Sequence, residues 1–568
     1  PPRRPAELPR RAGRAALWPV PGARGSIGAR RRPAPSTGGS AVPARRAPLA
    51  APAGEAGDAP GTAPGTGSPV RVVRAPRPRA VDRAGWAGAV VAAAVLVHLL
   101  LAWRLRGFVT DDSWITVRYA ENLAAGAGWV WNPDGPVVEG ASNPLLVLLE
   151  ALVVALGGSA LRTAQVLGVA GGVACVLLVG LGGRAVLGRG AAAAGALLTA
   201  ASAPFAAWAV GGLETLPVAA LLTAGVLQLA RPDGGRAPVA AAAFATLPWW
   251  RPEGLLVVAA VVGLSELTTV LALVRRRRPR PGALRRLLWL VGLPCAAQLA
   301  LEALRWSVYG HLLPNSVLYK AGTGAPFDVL EKFLDQSAVV VVPALLGALL
   351  VRGRARLLLV PPLVHAAGSV GTLDSANAFS RFLLPAWPVL ALLAGLALVR
   401  PALLLPRRAQ QPAAVLLAVA VAAAALLAPG GGAERVDGWQ QRYTACKAGA
   451  RAEAAAWLRT TPASTTYGVS DAGLVPARAG RTAVDMFLLN DPLLQETGPL
   501  PPQRRAEEVL ERRPDVLVLV SRSPREFRAG YPTDAAVHER AVAAGYRLAH
   551  VARGTGAGCA YHLWALRR

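Results

Sequence analysis

Two adjacent carboxylates, Asp111 and Asp112, stand directly after the first long apolar run of the sequence. They belong to the stretch RGFVTDDSWITVRYAENLAAGAGWVWNPDGPVVEGASNP, residues 106–144. Neighbouring carboxylates repel each other, so one of the pair can keep a raised pKa while the N-terminus of a following helix stabilises the other as an anion. This arrangement suits a general base or a cation site.

The residues after this pair predict the helix that would position it, a short amphipathic helix over 113–125. Its apolar face would consist of Ile115, Tyr119 and Leu123, with Arg118 off that face. The competing interpretation is that one aspartate merely caps this helix, because Asp is a common N-cap residue.

The composition indicates the class of protein that must hold this helix. The chain has 568 residues, is 53% hydrophobic and has a mean hydropathy of +0.39. Runs of Leu, Val and Ala recur between residues 85 and 427, many of them near the ~20 residues that a bilayer-spanning helix needs. We therefore expect a polytopic membrane protein. In such a protein the net charge of +28, mostly from Arg, indicates membrane topology rather than nucleic-acid binding.

Residues 1–83 differ from the rest of the chain. They are rich in Pro, Ala, Gly and Arg and have almost no aromatic residues. Such a segment cannot bury enough apolar surface to fold. It is predicted to be a disordered basic cytoplasmic tail whose arginines contact anionic lipid headgroups.

Clusters of arginine predict which loops face the cytoplasm. They lie in the tail and at 182–190, 231–236, 275–286, 352–356 and 400–408. Placing all of them inside satisfies the positive-inside rule and allows about eleven spans. These spans are 86–104, 161–181, 190–206, 214–230, 238–250, 254–274, 285–306, 338–351, 357–373, 382–399 and 412–428. The segment 144–157 is too short to cross and carries Glu150, so we interpret it as a re-entrant or interfacial helix.

The same topology places the polar, motif-like stretches on the outer face. They are 106–143, 210–215, 248–254, 309–322, 372–382 and everything after about residue 430. The last part alternates helical and strand-like segments, which predicts a small extracytoplasmic α/β domain over 430–568 beyond a membrane domain over 84–429. Cys446 and Cys559 are its two cysteines, and an oxidising outer face would permit a disulfide between them.

These stretches resemble the GT-C glycosyltransferases, in particular the actinobacterial terminal β-(1→2)-arabinofuranosyltransferases. The first loop carries the Asp-Asp pair, an Arg-Tyr helix, an Asn-Pro turn and a Glu-Gly pair. The later motifs follow in order: GLET (212–215), RPEG (251–254), LPN (313–315) with a downstream Lys, RFLLP (381–385), SDAG (470–473) and VDMFLLND (484–491). The resemblance runs from about residue 88 to the end of the chain.

The resemblance implies an inverting enzyme of the plasma membrane that moves a sugar from a polyprenyl-phosphate carrier to a cell-envelope glycan or another acceptor on the outer face. A carboxylate would take the proton of the acceptor hydroxyl, and we assign this role to Asp111 with Asp112 supporting or sharing it. Arg251, Lys320 and Arg381 are the candidates for binding the leaving phosphate. Their alternative roles are snorkelling and salt bridges to Glu214 or Glu253.

The expected contacts with the sugar or acceptor come from the motif residues Arg118, Tyr119, Asn132, Glu139, Glu214, Glu253 and Asn315. For Glu214 the alternative is an ion pair with Arg251. No cofactor is required by the motifs, although Asp111 and Asp112 could hold Mg²⁺ or Mn²⁺. Nucleic acid is not an expected partner. The competing functions are a flippase for lipid-linked sugars and a GT-C enzyme that uses another sugar, such as mannose.

Overall fold

The computed structural model describes residues 85–275, 277–278, 281–320, 327–371, 378–556 and 558–567. The basic tail 1–83 and part of the external loop 372–382, including its Asp374, lie outside the described residues. The predicted class is confirmed: a helical membrane protein carries a small sheet-containing domain at its C-terminal end.

The first part of the chain is helical. Its α-helices are α1 (Gly85–Arg104), α2 (Asp111–Ala124), α3 (Pro144–Ala155), α4 (Ala160–Leu177), α5 (Arg184–Leu187), α6 (Arg189–Ala200), α7 (Ala203–Val210), α8 (Thr215–Ala230), α9 (Ala237–Trp250), α10 (Gly254–Val274), α11 (Ala283–Leu287), α12 (Leu293–Tyr309), α13 (Asn315–Lys320), α14 (Asp328–Leu350), α15 (Val360–Gly368), α16 (Trp387–Ala402) and α17 (Arg407–Leu427). Turns of π-helix at Leu178–Gly182 and Leu288–Gly292 join α4 to α5 and α11 to α12.

Within the described residues, seven helical segments are long and apolar enough to cross a membrane, or eight if the bent pair α6 and α7 forms one span. The sequence predicted about eleven. The predicted spans 214–230, 238–250 and 357–373 do form helices, but α8, α9 and α15 have only 16, 14 and 9 residues. Helices this short fall below the ~20 residues of a straight crossing. The predicted interfacial segment 144–157 forms the 12-residue helix α3.

Small residues allow the central helices to pack closely. A Cβ atom on Gly395 of α16 would lie 2.3 Å from the carbonyl oxygen of Ala191 in α6, and one on Gly347 of α14 would lie 2.0 Å from the carbonyl oxygen of Leu393. Only glycine fits at such contacts. Close backbone approach is how helices associate in a membrane, where lipid offers no hydrophobic driving force between them.

Arginines join several basic loops at one end of the bundle. The Nε of Arg354 donates to the carbonyl oxygen of Leu229 at 3.0 Å, and the Nη1 of Arg286 donates to that of Gly234 at 2.7 Å. The loops at 231–236, 281–286 and 352–356 therefore meet. None of the four residues that form these bonds lines the cavity described below, around which several of the polar motifs meet. The placement of all the basic loops on the cytoplasmic side stays a prediction.

The C-terminal part contains α18 (Ala433–Tyr443), α19 (Gly449–Arg459), α20 (Leu474–Ala479), α21 (Leu493–Thr497), α22 (Pro502–Glu511) and α23 (Pro532–Ala543). A π-helical turn, Thr444–Ala448, joins α18 to α19. Its strands are β1 (Thr466–Val469), β2 (Thr482–Asp485), β3 (Val516–Ser521), β4 (Tyr546–Arg553) and β5 (Ala560–Leu566). They form one mixed sheet in the order β2-β1-β3-β5-β4, with β1, β2 and β3 parallel and the other pairs antiparallel. The strand-like segments expected from the sequence correspond to β1, β3, β4 and β5, whereas β2 was not predicted and shares only its last two residues with the VDMFLLND motif.

The first polar loop belongs to the core of this C-terminal domain. Its side chains Ile115, Tyr119 and Trp131 are buried in one cluster with Tyr467 of β1 and Ala454 of α19. The apolar face predicted for α2 is therefore covered by a domain more than 300 residues further along the chain. This packing fixes α2, and with it the aspartate pair, against both halves of the protein.

Candidate active site

A cavity of about 1100 Å³ lies between α2, the polar ends of the bundle helices and the C-terminal domain. Pockets for a single small ligand usually have volumes of about 300–1,000 Å³, so there is room here for more than one group. Four of the residues predicted to do chemistry line it: Asp111, Asp112, Lys320 and Arg381.

Asp111 is bound on every side. Its Oδ2 accepts the backbone N–H of Gly473 at 3.1 Å, its Oδ1 accepts that of Leu474 at 3.0 Å, and Oδ1 lies 3.3 Å from Nε of Arg451. Only 13% of the side chain is exposed. Burial raises the pKa of the Asp111 carboxyl, against the charge of Arg451, which lowers it.

Asp112 is the accessible member of the pair. Its side chain is 43% exposed, and its Oδ2 lies 3.2 Å from Nη1 of Arg381. Neither aspartate caps α2, contrary to the competing interpretation: Thr110 is the N-cap residue, it makes no capping bond through its side chain, and the helix begins at Asp111. Both carboxylates thus lie in the first turn, where the helix dipole favours negative charge.

The three cations predicted to bind phosphate gather around one aromatic ring. Arg251, Lys320 and Arg381 lie 5.2, 5.9 and 5.6 Å from the ring centroid of Phe382. Lys320 and Arg381 line the cavity, whereas Arg251 is buried and does not. The Nη1 of Arg251 lies 2.8 Å from Oε1 of Glu214, and its Nε lies 2.5 Å from Oε1 of Glu253. Burial lowers the pKa of Lys320, while the neighbouring Asp112 raises it. The salt-bridge alternative therefore describes Arg251 fully and Arg381 in part, because Arg381 also pairs with Glu214. Of the three cations, only Lys320 and Arg381 line the cavity, and phosphate binding by them stays a prediction.

Glu214 holds these cations in place. Its carboxylate contacts Arg251, lies 3.3 Å from Nη2 of Arg381 and accepts an N–H from Asn143 at 2.7 Å. Burial would raise its pKa, but the charges of the two arginines outweigh this effect and hold the pKa below its ordinary value. Glu214 is thus an ionised anchor that orients Arg381 toward Asp112, and both it and Glu253 lie outside the cavity lining.

The other residues predicted to contact substrate have structural partners instead, and none lines the cavity. Arg118, predicted off the buried face of α2, is itself buried and donates to the carbonyl oxygens of Trp131 and Pro476 and to Oδ1 of Asn132. It therefore ties the first loop to the C-terminal domain. Burial lowers the pKa of the Arg118 guanidinium, and the three hydrogen bonds offset part of the cost of burying its charge.

Four further motif residues make the same kind of connection. Tyr119 donates to the carbonyl oxygen of Val138 at 2.8 Å, and Asn132 exchanges two hydrogen bonds with the backbone of Ala483 in β2. Asn315 donates to the carbonyl oxygens of Leu489 and Asp491. Glu139 pairs with Arg305 of α12, whose Nε lies 3.1 Å from each of the two carboxylate oxygens. These four residues have protein partners and do not line the cavity, and their contact with a substrate stays a prediction that nothing in the structure supports.

Sequence reasoning missed the group that holds Asp111. Arg451 of α19 bridges Asp111 and Asp471, with its Nη2 2.7 Å from Oδ2 of Asp471. Asp471 also accepts hydrogen bonds from the hydroxyls of Tyr531 and Tyr561. Burial would raise the pKa of Asp471, but Arg451 outweighs it and holds that pKa low. Nothing in the helical stretch around Arg451 distinguishes it from a solvent-facing arginine.

The aspartate pair does not fit a divalent cation. Mg²⁺ and Mn²⁺ prefer several oxygen ligands, but the oxygens of Asp111 accept N–H groups and Asp112 faces Arg381. In the part of the chain that the structure describes, no three His, Cys, Asp or Glu side chains are grouped closely enough to hold a metal.

Cys446 and Cys559 form a disulfide at the edge of the cavity, with their Cα atoms 5.4 Å apart. It joins the π-helical turn after α18 to the loop between β4 and β5. Two aspartates of the VDMFLLND motif, Asp485 and Asp491, accept the N–H groups of Phe487 and Leu493 two residues further on, as turn-forming aspartates do.

The arrangement of the helical bundle and the sheet domain is similar to the fold of solved GT-C membrane glycosyltransferases. ArnT from Cupriavidus metallidurans, solved with bound undecaprenyl phosphate, matches with a TM-score of 0.53 and 16% identity over 85% of this chain and 98% of its own. The oligosaccharyltransferase of Archaeoglobus fulgidus, tethered to an acceptor peptide, matches with a TM-score of 0.51 and 15% identity over 77% of this chain and 69% of its own. At these identities the likeness shows the fold alone.

Two further comparisons bear on the particular family. The mycobacterial arabinofuranosyltransferase AftD matches with a TM-score of 0.48 and 18% identity over 84% of this chain and 41% of its own, which carries no argument about the sugar. A domain of unknown function, DUF8728, matches residues 437–564, and no curated protein matches the chain significantly. The GT-C fold is therefore shown, and the arabinofuranosyltransferase family remains a prediction.

Proposed function

We propose that this protein is a membrane glycosyltransferase that moves a sugar from a polyprenyl-phosphate donor to an acceptor hydroxyl in the cavity. The observation that carries the proposal is the meeting of an accessible carboxylate, Asp112, with Arg381 and Lys320 in one cavity of a GT-C fold. A base and a phosphate-binding pair are the two elements that such a transfer needs.

In the proposed reaction the carboxylate of Asp112 takes the proton of the acceptor hydroxyl as its oxygen bonds to the anomeric carbon. The bond from that carbon to the lipid phosphate breaks at the same time, with inversion, and the phosphate leaves with the bonding electrons. Arg381 and Lys320 balance the charge that develops on it. Asp111 was the expected base, but its largely buried carboxylate already accepts two backbone N–H groups and pairs with Arg451, so we assign it a positioning role.

The donor class is supported by ArnT, whose structure contains undecaprenyl phosphate. The sugar and the acceptor are proposed on the sequence resemblance alone, as arabinofuranose and an envelope glycan. Mannose is the alternative sugar. A flippase is the alternative function, and it would move the lipid without breaking the sugar–phosphate bond.

The sidedness of the cavity is part of the proposal. With Cys295 replaced by Ser, D134C in the first loop and R285C in α11 should react differently with a membrane-impermeant maleimide applied to intact cells. We expect labelling of D134C only, because positive loops stay in the cytoplasm. Labelling of R285C and not of D134C would place the cavity inside and contradict an outer-face reaction.

The direct test uses the purified full chain in lipid nanodiscs with polyprenyl-phosphate arabinofuranose or polyprenyl-phosphate mannose and mixed short glycans as acceptors. We expect release of polyprenyl phosphate together with a lengthened glycan for one donor, equally with and without EDTA. Sugar-lipid movement across a vesicle membrane without cleavage would instead support the flippase.

A further inference from the structure

The cavity extends well beyond Asp112 to the carboxyl edge of the C-terminal sheet. Ser470 and Asp471 follow β1, Asp485 ends β2, and Tyr531 follows β3; all four line it. The chain leaves β1 toward β2 on one side and later returns to β3 on the other. Such a switch point opens a crevice at the carboxyl edge of an α/β sheet, where ligands commonly bind.

Aromatic rings form one wall of this part of the cavity. The ring centroid of Phe487 lies 5.9 Å from that of Tyr319 and 5.4 Å from that of Tyr531, both in edge-to-face geometry. All three side chains line the cavity and are only half-buried. An edge-to-face contact covers at most one face of each ring, and the C–H face of a sugar ring packs against a ring face that lines the cavity.

Arg505 of α22 adds hydrogen-bond donors to the same wall. Its guanidinium carbon lies 5.1 Å from the centroid of Phe487 and 5.7 Å from that of Tyr319. Its Nε donates to the carbonyl oxygen of Leu500 at 2.7 Å and its Nη1 to Oγ1 of Thr533 at 3.1 Å. Among the described residues, no carboxylate forms a salt bridge with Arg505. Arg505 also hydrogen-bonds the side chain of Tyr319. A guanidinium has five N–H donors, so these bonds leave others for the hydroxyl oxygens of a ligand.

We propose that this wall, made of Tyr319, Phe487, Tyr531 and Arg505 and called here the acceptor wall, binds a carbohydrate chain whose terminal hydroxyl reaches Asp112. The inference rests on the proposed function and adds the residues that bind its glycan acceptor. Rings stack on the aromatic faces, and Arg505 donates to their hydroxyl and ring oxygens.

A peptide fits this wall less well. Peptides that bind beside a sheet usually extend an edge strand through backbone hydrogen bonds. At the β2 edge nearest the first loop, the side chain of Asn132 already occupies the N–H and C=O of Ala483. The acceptor wall offers ring faces and one cation, which are groups that recognise sugars.

The test compares R505Q and F487L with the control R504Q. Arg504 is the neighbour of Arg505 on α22, but it is exposed, pairs with Glu507 and does not line the cavity. The probes are fluorescent tetrasaccharides of arabinose, mannose, galactose or glucose, and a labelled peptide of similar length, titrated into the full chain in nanodiscs. We expect one tetrasaccharide to bind, with its Kd raised roughly five- to tenfold by R505Q and by F487L and unchanged by R504Q.

In the transfer assay the same two variants should raise the acceptor KM by a similar factor, with a smaller change in kcat. Melting temperatures near that of the wild type would show that the variants are folded. Equal Kd values in R505Q, F487L and the wild type, or binding of the peptide alone, would overturn the proposal. Because the binding measurement requires no turnover, a wild type that binds a tetrasaccharide but transfers no sugar would overturn the proposed function and leave the acceptor wall standing.

Discussion

Replacement of Asp112 with Asn is expected to lower the rate of sugar transfer roughly 10²–10⁴-fold, the usual contribution of a general base. The amide keeps the size of the carboxylate and can still accept a hydrogen bond from Arg381, but it cannot take a proton. The melting temperature should change little, because the side chain is 43% exposed. The measurement is steady-state transfer by purified D112N in nanodiscs.

The matched control is D134N, an exposed aspartate of the same loop that does not line the cavity. It should transfer sugar at the rate of the wild type. D111N should retain more activity than D112N, because its remaining oxygen can still accept an N–H from the Gly473–Leu474 backbone. If D112N is active and D111N is not, the base is Asp111 after all. If both are active, the base must be sought among Glu214, Glu253 and Asp374.

Replacement of Arg451 with Leu is expected to destabilise the C-terminal domain by about 3–5 kcal/mol. The change leaves Asp111 and Asp471 buried without their shared counter-ion, and breaking a buried ion pair typically costs this much. Thermal melting of the purified protein should show a transition several degrees lower. R459L is the control, because Arg459 lies on the same helix but is exposed.

The destabilisation by R451L should also depend on pH. In the folded protein Arg451 holds the pKa of Asp471 below its ordinary value, so its stabilising effect is present above the ordinary pKa of aspartate and is lost as the pH falls through the folded pKa. The difference in the free energy of unfolding between the wild type and R451L should therefore become smaller as the pH is lowered into the acid range. If R451L is as stable as R459L at neutral pH, then Arg451 does not stabilise the buried carboxylates of Asp111 and Asp471.

The sequence by itself determined the class of fold and several of the charged residues that line the cavity. A long apolar run that crosses a bilayer forms a helix, because lipid offers no water to the backbone N–H and C=O groups and the helix satisfies them internally. The arginine clusters predicted that basic loops are separated from polar motifs, and three of the basic loops do meet away from the cavity. Of the residues predicted for catalysis and phosphate binding, Asp111, Asp112, Lys320 and Arg381 do line one cavity.

The division of roles among these residues was decided only by the tertiary structure. Asp111 and Asp112 are equivalent in sequence, and what distinguishes them is the backbone of Gly473 and Leu474, which bonds one and leaves the other open. Arg118 is a second example. Its position in the sequence is compatible with a substrate contact, but in the folded protein it donates to the carbonyl oxygen of Pro476. Local patterns report which face of a helix is apolar, but the availability of a polar group depends on partners that fold against it from hundreds of residues away.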